Sequence, residues 1–201
     1  MNTFETINQR ISANRFNPDK LLSRAEIEEL VTHATQAPSS FNLQHWHFIA
    51  VIERSLKECL KAVAYGQQKV VDAAVIFIVL GNLQAHTKLA DILGQSVQAG
   101  IFDQFTANQM LTTANMMYAD PVAQRDEVIR SVSLAVMTLM LAAEAKGFVS
   151  CPMIGFDPDC VKHEFHIPEH YLPVMLLAVG HPAPGNWPRK VRLSVAEVLT
   201  Y

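Results

Sequence analysis

The chain has 201 residues, of which 50% are hydrophobic and 17% are charged, and its formal net charge is −3. This length suits one sizeable core and predicts a single domain over residues 1–201. The slightly acidic balance, with no long basic run, argues against a nucleic-acid partner. Residues 1–10 lack the apolar stretch of a signal peptide, and the longest apolar run, 73–80, is far short of a membrane span. We therefore expect a cytoplasmic protein that does not enter a membrane.

Two further features of the composition bear on compartment and assembly. The three cysteines, Cys59, Cys151 and Cys160, form no CxxC pair, which indicates free thiols in a reducing compartment. The hydrophobic fraction is high for so few charges. It fits either a closely packed domain or an apolar surface that faces a partner subunit, and composition alone leaves both open.

The first half of the chain predicts helices around a buried strand. Ser23 and Glu26 form a capping box, and the apolar residues that follow at helical spacing predict a helix that ends before Pro38. Residues 48–52 predict a short strand. The continuous apolar run at 75–80 is rich in β-branched residues and predicts a strand that is covered on both faces.

The second half is dominated by helical patterns. Residues 83–117 are helical in composition, with Gly94 and Gly100 as expected breaks. Residues 126–146 predict the longest helix, ending at Gly147 and apolar around much of its girth, which favours a central, largely buried position.

A second buried strand is predicted at 174–179, and residues 192–199 read as an extended or mixed tail. Helices surrounding a few strands predict an α+β fold with three layers, α/β/α.

Four polar or loop-like segments interrupt the core pattern, at residues 10–16, 37–46, 151–157 and 189–192. The first and last carry arginines, whose planar forks suit a phosphate dianion. The second combines hydroxyl and amide side chains with aromatic neighbours, and the third contains Gly155, which lets a backbone amide approach a ligand. Taken alone, the first segment is better read as a solvated loop and the last as a basic tail, while the second reads equally well as a helix-to-strand connection and the third can be a simple turn.

Taken in order, short motifs along nearly the whole chain resemble the FMN-dependent nitroreductases. The most specific is Pro-Ser-x-x-Asn-x-Gln-x-Trp, and the others are weak singly. His45 stands where the family frequently has Pro. The matching residues are Ile7, Arg10 and Ser12; Pro38, Ser39, Asn42, Gln44 and Trp46; Gln67 and Lys69; Pro152, Gly155 and Phe156; and Lys190, Arg192 and Leu193.

The resemblance implies an FMN site and a role for each motif. The first and last motifs are expected to bind the phosphate group of FMN. The Gln–Lys motif is expected to contact the polar edge of the flavin ring, and the Pro-x-x-Gly motif to cover one face of the ring. The Pro-Ser segment is expected to reach the flavin of a second subunit, and Phe41 to contact the substrate. The phosphate residues are Arg10, Ser12, Lys190 and Arg192, and Ile11 and Asn14 of the same first segment are also expected to bind the cofactor. The other residues are Gln67 and Lys69; Pro152, Met153, Ile154 and Gly155; and Pro38, Ser39, Ser40 and Asn42.

The implied assembly is a homodimer with FMN at the subunit interface. Its fold would be nitroreductase-like, with a central mixed or antiparallel sheet wrapped by helices and C-terminal segments exchanged between subunits. The implied activity is a ping-pong cycle in which NAD(P)H, a transient donor, reduces the bound flavin and leaves before a small-molecule acceptor such as a nitroaromatic or quinone enters. FMN would carry the chemistry, so no catalytic acid–base pair is expected.

Other readings remain beside this one. A flavin protein of the same fold could act as a non-catalytic carrier or sensor, or run another flavin reaction such as reductive dehalogenation. No GxGxxG follows a strand, so a dedicated dinucleotide domain is not expected. No metal site is expected either, because Pro168 prevents His163, His166 and His170 from sharing one helical face.

Overall fold

The computed structural model describes residues 2–201, and these form helices wrapped around one sheet. The α-helices are α1 Thr3–Gln9, α2 Arg24–Ala34, α3 Arg54–Val63, α4 Lys69–Asp72, α5 Leu89–Gln98, α6 Gln104–Tyr118, α7 Pro121–Ala145, α8 Pro158–Glu164 and α9 Val195–Val198. The strands are β1 Trp46–Val51, β2 Val75–Asn82, β3 Val149–Met153 and β4 Tyr171–Gly180, and short 3-10 turns cover Ser40–Asn42 and Ala85–Lys88.

The sheet has the strand order β1-β2-β4-β3, and every neighbouring pair is antiparallel. β2 lies between β1 and β4, and its side chains from Val75 to Leu80 are at most 1% exposed. The prediction of a strand covered on both faces is therefore confirmed. The parallel component of the expected mixed sheet is limited to an isolated bridge between Ser12 and Ser150, beside β3.

Helices cover both faces of the sheet. α2 and α7 pack on one face, where Val132, Val136 and Leu139 of α7 contact the inward side chains of β2 and β4. On the other face, side chains of α3, α4 and α8 pack against the alternate residues of the same strands. This confirms the three-layer α+β prediction. The long helix was expected at the centre, but it lies in an outer layer on one face of the sheet, with eight of its 25 residues buried.

α7 is the one helix among residues 2–201 that is long and apolar enough to cross a membrane. Its side chains Val128, Val132, Val136 and Leu139 are at most 1% exposed and contribute to the core. The core position of these side chains accounts for much of its apolar composition.

Several predicted boundaries were wrong for identifiable reasons. α7 begins at Pro121, five residues before the predicted start, because the Asp120 side chain caps it and Pro suits the first helical position. Gly94 lies inside α5 and does not interrupt it, whereas Gly100, with φ of +70°, follows the end of this helix as expected. Residues 151–153, expected in a turn, continue β3; Pro152 is tolerated because β3 is the last strand of the sheet.

Residues 85–118 form a separate unit, which we call the cap. It consists of the second 3-10 turn, α5 and α6, and it has a core of its own built on Leu89, Leu93 and Ala114. The loop that precedes β1 supplies Leu43 and Phe41 to this core. The cap and this loop therefore share one hydrophobic cluster that is distinct from the two clusters on the sheet.

Candidate functional site

The two ends of the chain meet beside β3. The backbone amide of Ala13 donates to the Ser150 carbonyl at 2.9 Å, which places residues 12–13 along the outer edge of β3. The Asn186 side-chain oxygen accepts from the amides of Asn14 and Arg15 at 2.8 and 3.0 Å, and its amide donates back to the Arg15 carbonyl at 2.8 Å. Asn186 thus holds the N-terminal segment against the C-terminal one.

Between these segments lies a small cleft, which we call the basic cleft. The structure brings together here all four residues that the resemblance assigns to the phosphate, and Ile11 with them; Asn14, also expected to bind the cofactor, is not among the lining residues. The lining residues are Arg10, Ile11, Ser12, Trp187, Pro188, Arg189, Lys190 and Arg192.

The basic cleft has a strong positive charge. Four of its lining side chains are cationic and none is acidic. Burial lowers the pKa of Arg10, and the nearby charges of Arg189 and Arg192 lower it further, although Glu144 acts in the opposite direction. Cations that crowd one another in this way favour a bound anion, which would relieve their mutual repulsion.

Arg189 has a role that sequence reasoning did not assign. Its guanidinium donates to the carbonyls of Ile7, Asn8 and Arg10, the last two at 3.0 and 3.3 Å. These carbonyls lie at the C-terminal end of α1, where the helix leaves acceptors unpaired. Arg189 therefore fixes the end of the helix that presents Arg10 to the cleft.

The other two cationic side chains of the C-terminal segment are less constrained. Lys190 lies over the Trp187 ring, with Nζ 5.5 Å from the ring centroid. The Arg192 guanidinium donates only to nearby carbonyls, those of Lys190 and Val191. Both side chains are exposed, so their donors remain available for a ligand.

The Gln–Lys motif and the segment after β3 also meet. The Gln67 amide donates to the Gly155 carbonyl at 2.7 Å, and a side chain at Gly155 would crowd this amide. Lys69 Nζ lies 3.4 Å from the sulfur of Cys151, on β3. The predicted residues 67, 69 and 152–155 thus form one surface next to the basic cleft.

Two residues of this surface differ in what they can offer a ligand. The Met153 side chain is 5% exposed and packs in the core, so it leaves only its backbone for a ligand. The Ile154 side chain is 84% exposed.

The Pro-Ser segment lies elsewhere. Residues 38–44 precede β1, whereas the basic cleft adjoins β3, at the opposite edge of the sheet. Three interstrand spacings separate the two edges, or about 14 Å. Within one chain the structure therefore does not bring Pro38, Ser39, Ser40 and Asn42 to the other predicted site residues.

The loop itself has an unusual backbone. Phe41, Asn42 and Gln44 have φ of +52°, +55° and +49°, a region that residues other than glycine rarely adopt. The Ser39 hydroxyl accepts from the Gln44 amide at 2.9 Å, and the Ser39 carbonyl from the Asn42 amide at 3.0 Å. Such conformations persist only where the surrounding structure holds them.

A buried polar contact follows this loop directly. The His45 side chain is fully buried, and its Nε2 lies 2.9 Å from the hydroxyl of Tyr118, the last residue of α6. The Tyr118 ring is nearly parallel to the rings of His45 and His86, whose centroids lie 5.8 and 5.1 Å from its own. Sequence reasoning noted His45 only as a departure from the family pattern, and nothing local indicated Tyr118 or His86.

Burial perturbs both partners of this contact. It lowers the pKa of His45 to about 4; the nearby His86 lowers it too, whereas the charge of Glu127 opposes the change. Burial also raises the pKa of Tyr118 to about 12, with a contribution from Glu127 and an opposing hydrogen bond from Ser40. Both groups are therefore neutral at physiological pH.

Known proteins resemble this chain in sequence and in fold. The family model described as "Nitroreductase family" matches residues 7–181. A Bacillus subtilis protein named as an NAD(P)H nitroreductase, MhqN, is 35% identical over 198 residues, covering 97% of this chain and 96% of its own length.

Solved structures agree with this match. A nitroreductase structure from Bacillus subtilis, YdfN, superposes with a TM-score of 0.93 at 34% identity, covering 98% of this chain and 97% of the other. A structure from Exiguobacterium sibiricum, described as a nitroreductase in complex with FMN, has a TM-score of 0.91 at 27% identity and covers 100% and 97% of the two chains. The expected nitroreductase-like fold is confirmed.

Proposed function

The chain belongs to the nitroreductase family, and on that premise we propose that it is an FMN-dependent oxidoreductase. Its electron donor is NAD(P)H, and its acceptors are small nitroaromatic or quinone-type molecules. The observation that carries the proposal is the basic cleft, where four cationic side chains converge without a carboxylate among them. A phosphate dianion is the ligand that such a cleft favours most.

The residues present fit FMN. Arg10 and Ser12 would bind the phosphate group from one side of the basic cleft, and Lys190 and Arg192 from the other. Ile11 and Asn14 shape the same segment, which is held in place by Asn186. A single phosphate site of this kind suits FMN rather than a dinucleotide.

The adjoining surface would hold the flavin ring. Lys69 can donate to its polar edge, and Gln67, whose amide nitrogen is bonded to Gly155, keeps its oxygen available as an acceptor. Pro152 and the backbone of 153–155 would lie against one ring face, close enough because Gly155 has no side chain. When bound, FMN supplies the redox chemistry; the protein binds it, orients it and excludes water.

We also propose a homodimer of single-domain chains in the cytoplasm, with FMN at the interface. Exposed apolar side chains of the C-terminal segment support an exchange with a partner: Val191, Leu193 and Val198 are 96%, 69% and 68% exposed. An open groove between α1, α2 and α7, lined partly by Leu141 and Ala142, offers apolar surface to cover. The Pro-Ser segment of the partner would then complete each site.

The cycle is proposed to be ping-pong, with donor and acceptor using the same face of the flavin in turn. Phe41 would border that face. Two relatives of other specificity, an FMN reductase (NADPH) of Bacillus subtilis and an enone reductase of Lactiplantibacillus plantarum, are 29% and 28% identical to this chain. A flavin and an enone therefore belong in the acceptor panel beside menadione and a nitroaromatic.

Purified protein should be yellow, with released cofactor that co-elutes with FMN, and light scattering should report about twice the chain mass. Double-reciprocal plots of NADH or NADPH oxidation at several menadione concentrations should give parallel lines. Intersecting lines would refute the ping-pong cycle. Bound FAD would refute the single-phosphate site, and bound FMN without NAD(P)H oxidation by any acceptor would favour a carrier or sensor.

A pair of variants tests the basic cleft. Arg10→Ala should weaken FMN binding by about ten- to a hundredfold, because it removes a charge-assisted hydrogen bond worth about 1.5–3 kcal/mol. Arg54→Ala removes an exposed arginine at the start of α3 and serves as the matched control. Equal FMN dissociation constants for the two variants would overturn the assignment of the cleft.

A further inference from the structure

The residue that follows the Phe41 loop makes a buried polar contact with the cap. His45 directly follows this loop, and its carbonyl accepts from the Asn82 amide at 2.7 Å, which continues the ladder between β1 and β2. Its side chain points the other way, to the hydroxyl of Tyr118 in the cap. His45 therefore joins the sheet by its backbone and the cap by its ring.

This contact is suited to fix a relative position. Both residues are at most 5% exposed, and the Tyr118 ring also lies nearly parallel to that of His86 at the other end of the cap. Apolar contacts between Leu43 or Phe41 and the cap core are tolerant of sliding, because they have no preferred direction. A hydrogen bond of 2.9 Å between buried groups is directional, and breaking it would leave the buried His45 ring without any hydrogen-bond partner, because its Nδ1 already has none.

The Ser39–Gln44 loop needs a contact that holds its backbone in place. Its three left-handed residues are unfavourable for the free chain, so a loop released from the cap would relax to other conformations. Relaxation would move Phe41, whose side chain packs against the cap core. The position of the aromatic ring at the proposed acceptor site thus depends on the link between His45 and Tyr118.

We infer that His45 and Tyr118 are positioning residues that set acceptor selectivity. Their buried hydrogen bond locks the Ser39–Gln44 loop to the cap and so fixes the width of the acceptor site beside Phe41. This inference rests on the proposed function for its kinetic consequence. The lock itself is a property of the fold and can be measured without turnover.

Tyr118→Phe is the variant of choice, because it removes only the hydroxyl and keeps the stacked ring. Tyr171→Phe is the matched control: the Tyr171 ring also lies beside two histidine rings, those of His47 and His170, with centroids 5.2 and 4.4 Å away. It lies on β4, outside the residues assigned to the site. His45→Gln tests the other partner of the bond with a side chain that can still reach a hydroxyl.

The first measurement is hydrogen–deuterium exchange on the FMN-loaded protein. The amides of Asn42, Leu43 and Gln44 are bonded within the loop, so their exchange reports its opening. Tyr118→Phe should speed exchange over residues 39–46 by about two- to tenfold, the factor expected for loss of one net hydrogen bond. Tyr171→Phe should leave that segment unchanged. Unchanged exchange in Tyr118→Phe would overturn the lock.

The second measurement is the ratio of kcat/KM for menadione to that for p-benzoquinone, which has one ring fewer. Tyr118→Phe should shift this ratio by about two- to tenfold at full FMN content. His45→Gln, which keeps Tyr118, should give a ratio between those of wild type and Tyr118→Phe. Equal losses for both acceptors, or an unchanged ratio despite faster exchange, would overturn the role in selectivity. A wild-type protein that oxidises no NAD(P)H would refute the proposed function instead, and exchange would still decide the lock.

Discussion

Acidification should destabilise this protein through His45 well before carboxylates are protonated. The pKa of this imidazole is lowered from 6.5 to about 4 in the folded chain, chiefly by burial. The groups that face it are Tyr118 from α6, His86 from the cap's first turn and Glu127 from α7. Between pH 6.5 and 4 the unfolded chain binds a proton at His45 that the folded chain does not, so the free energy of unfolding falls as the pH falls.

The size of this effect follows from the two pKa values. At pH 5, a histidine with a pKa of 6.5 unfolded and about 4 folded lowers the free energy of unfolding by about 2 kcal/mol relative to pH 8. The contribution of His45 to the free energy of unfolding is fully present above pH 6.5 and is lost as the pH falls to 4. Protonation would also replace the neutral contact with Tyr118 by a buried charge, which is costly without a paired anion.

Urea unfolding of wild type and His45→Gln at pH 8 and pH 5, with saturating FMN, measures how much unfolding free energy His45 costs the protein on acidification. The variant should be less stable at pH 8 but should lose about 2 kcal/mol less than wild type on acidification. His163→Gln, which removes an exposed histidine on α8, should lose as much as wild type. Equal pH-dependent losses in wild type and His45→Gln would refute a depressed pKa at this position.

Two further predictions concern packing and the cleft. Gly81→Ala should destabilise the protein by about 1–3 kcal/mol, because the added methyl group overlaps Val128. Gly94→Ala should stabilise it by about 0.5–1 kcal/mol, because this position lies in open space within α5. Thermal unfolding of both variants measures the two effects. Arg189→Ala should weaken FMN binding, though less than Arg10→Ala, because the end of α1 loses its donor. FMN titration that finds no change would mean that α1 needs no such support.

Local chemistry allowed much of the fold to be predicted. The capping box at Ser23 and Glu26 and the apolar run of β2 specify their elements through nearest neighbours alone. β3 was missed because Pro152 disfavours a strand, and its pairing with β4 comes from residues more than twenty positions away. The early start of α7 at Pro121 was missed because its first turn, Pro-Val-Ala-Gln, lies outside the apolar stripe and holds no buried residue.

The site was predictable only in part, because its contacts are distant in sequence. Arg10 and Arg192 were identified through motifs of the resemblance, and the structure places both at the basic cleft. Arg189 and Asn186 bond to backbone atoms that lie more than 170 residues away, and no pattern around either residue signals this. His45 likewise acquires its role from Tyr118, 73 positions further on.

The topology of the sheet gives a physical reason to expect a shared site. The Pro-Ser segment is anchored to β1 and the basic cleft to β3, and continuous antiparallel ladders fix the strands between these edges. Bringing the two predicted halves of the site together within one chain would require those ladders to break, at the cost of the most buried part of the molecule. A second copy of the chain can bring its own Pro-Ser segment to the cleft while both sheets stay intact. The lock between His45 and Tyr118 would then shape the acceptor site of the neighbouring subunit, so that the cap of one chain selects what the flavin held by the other can reduce.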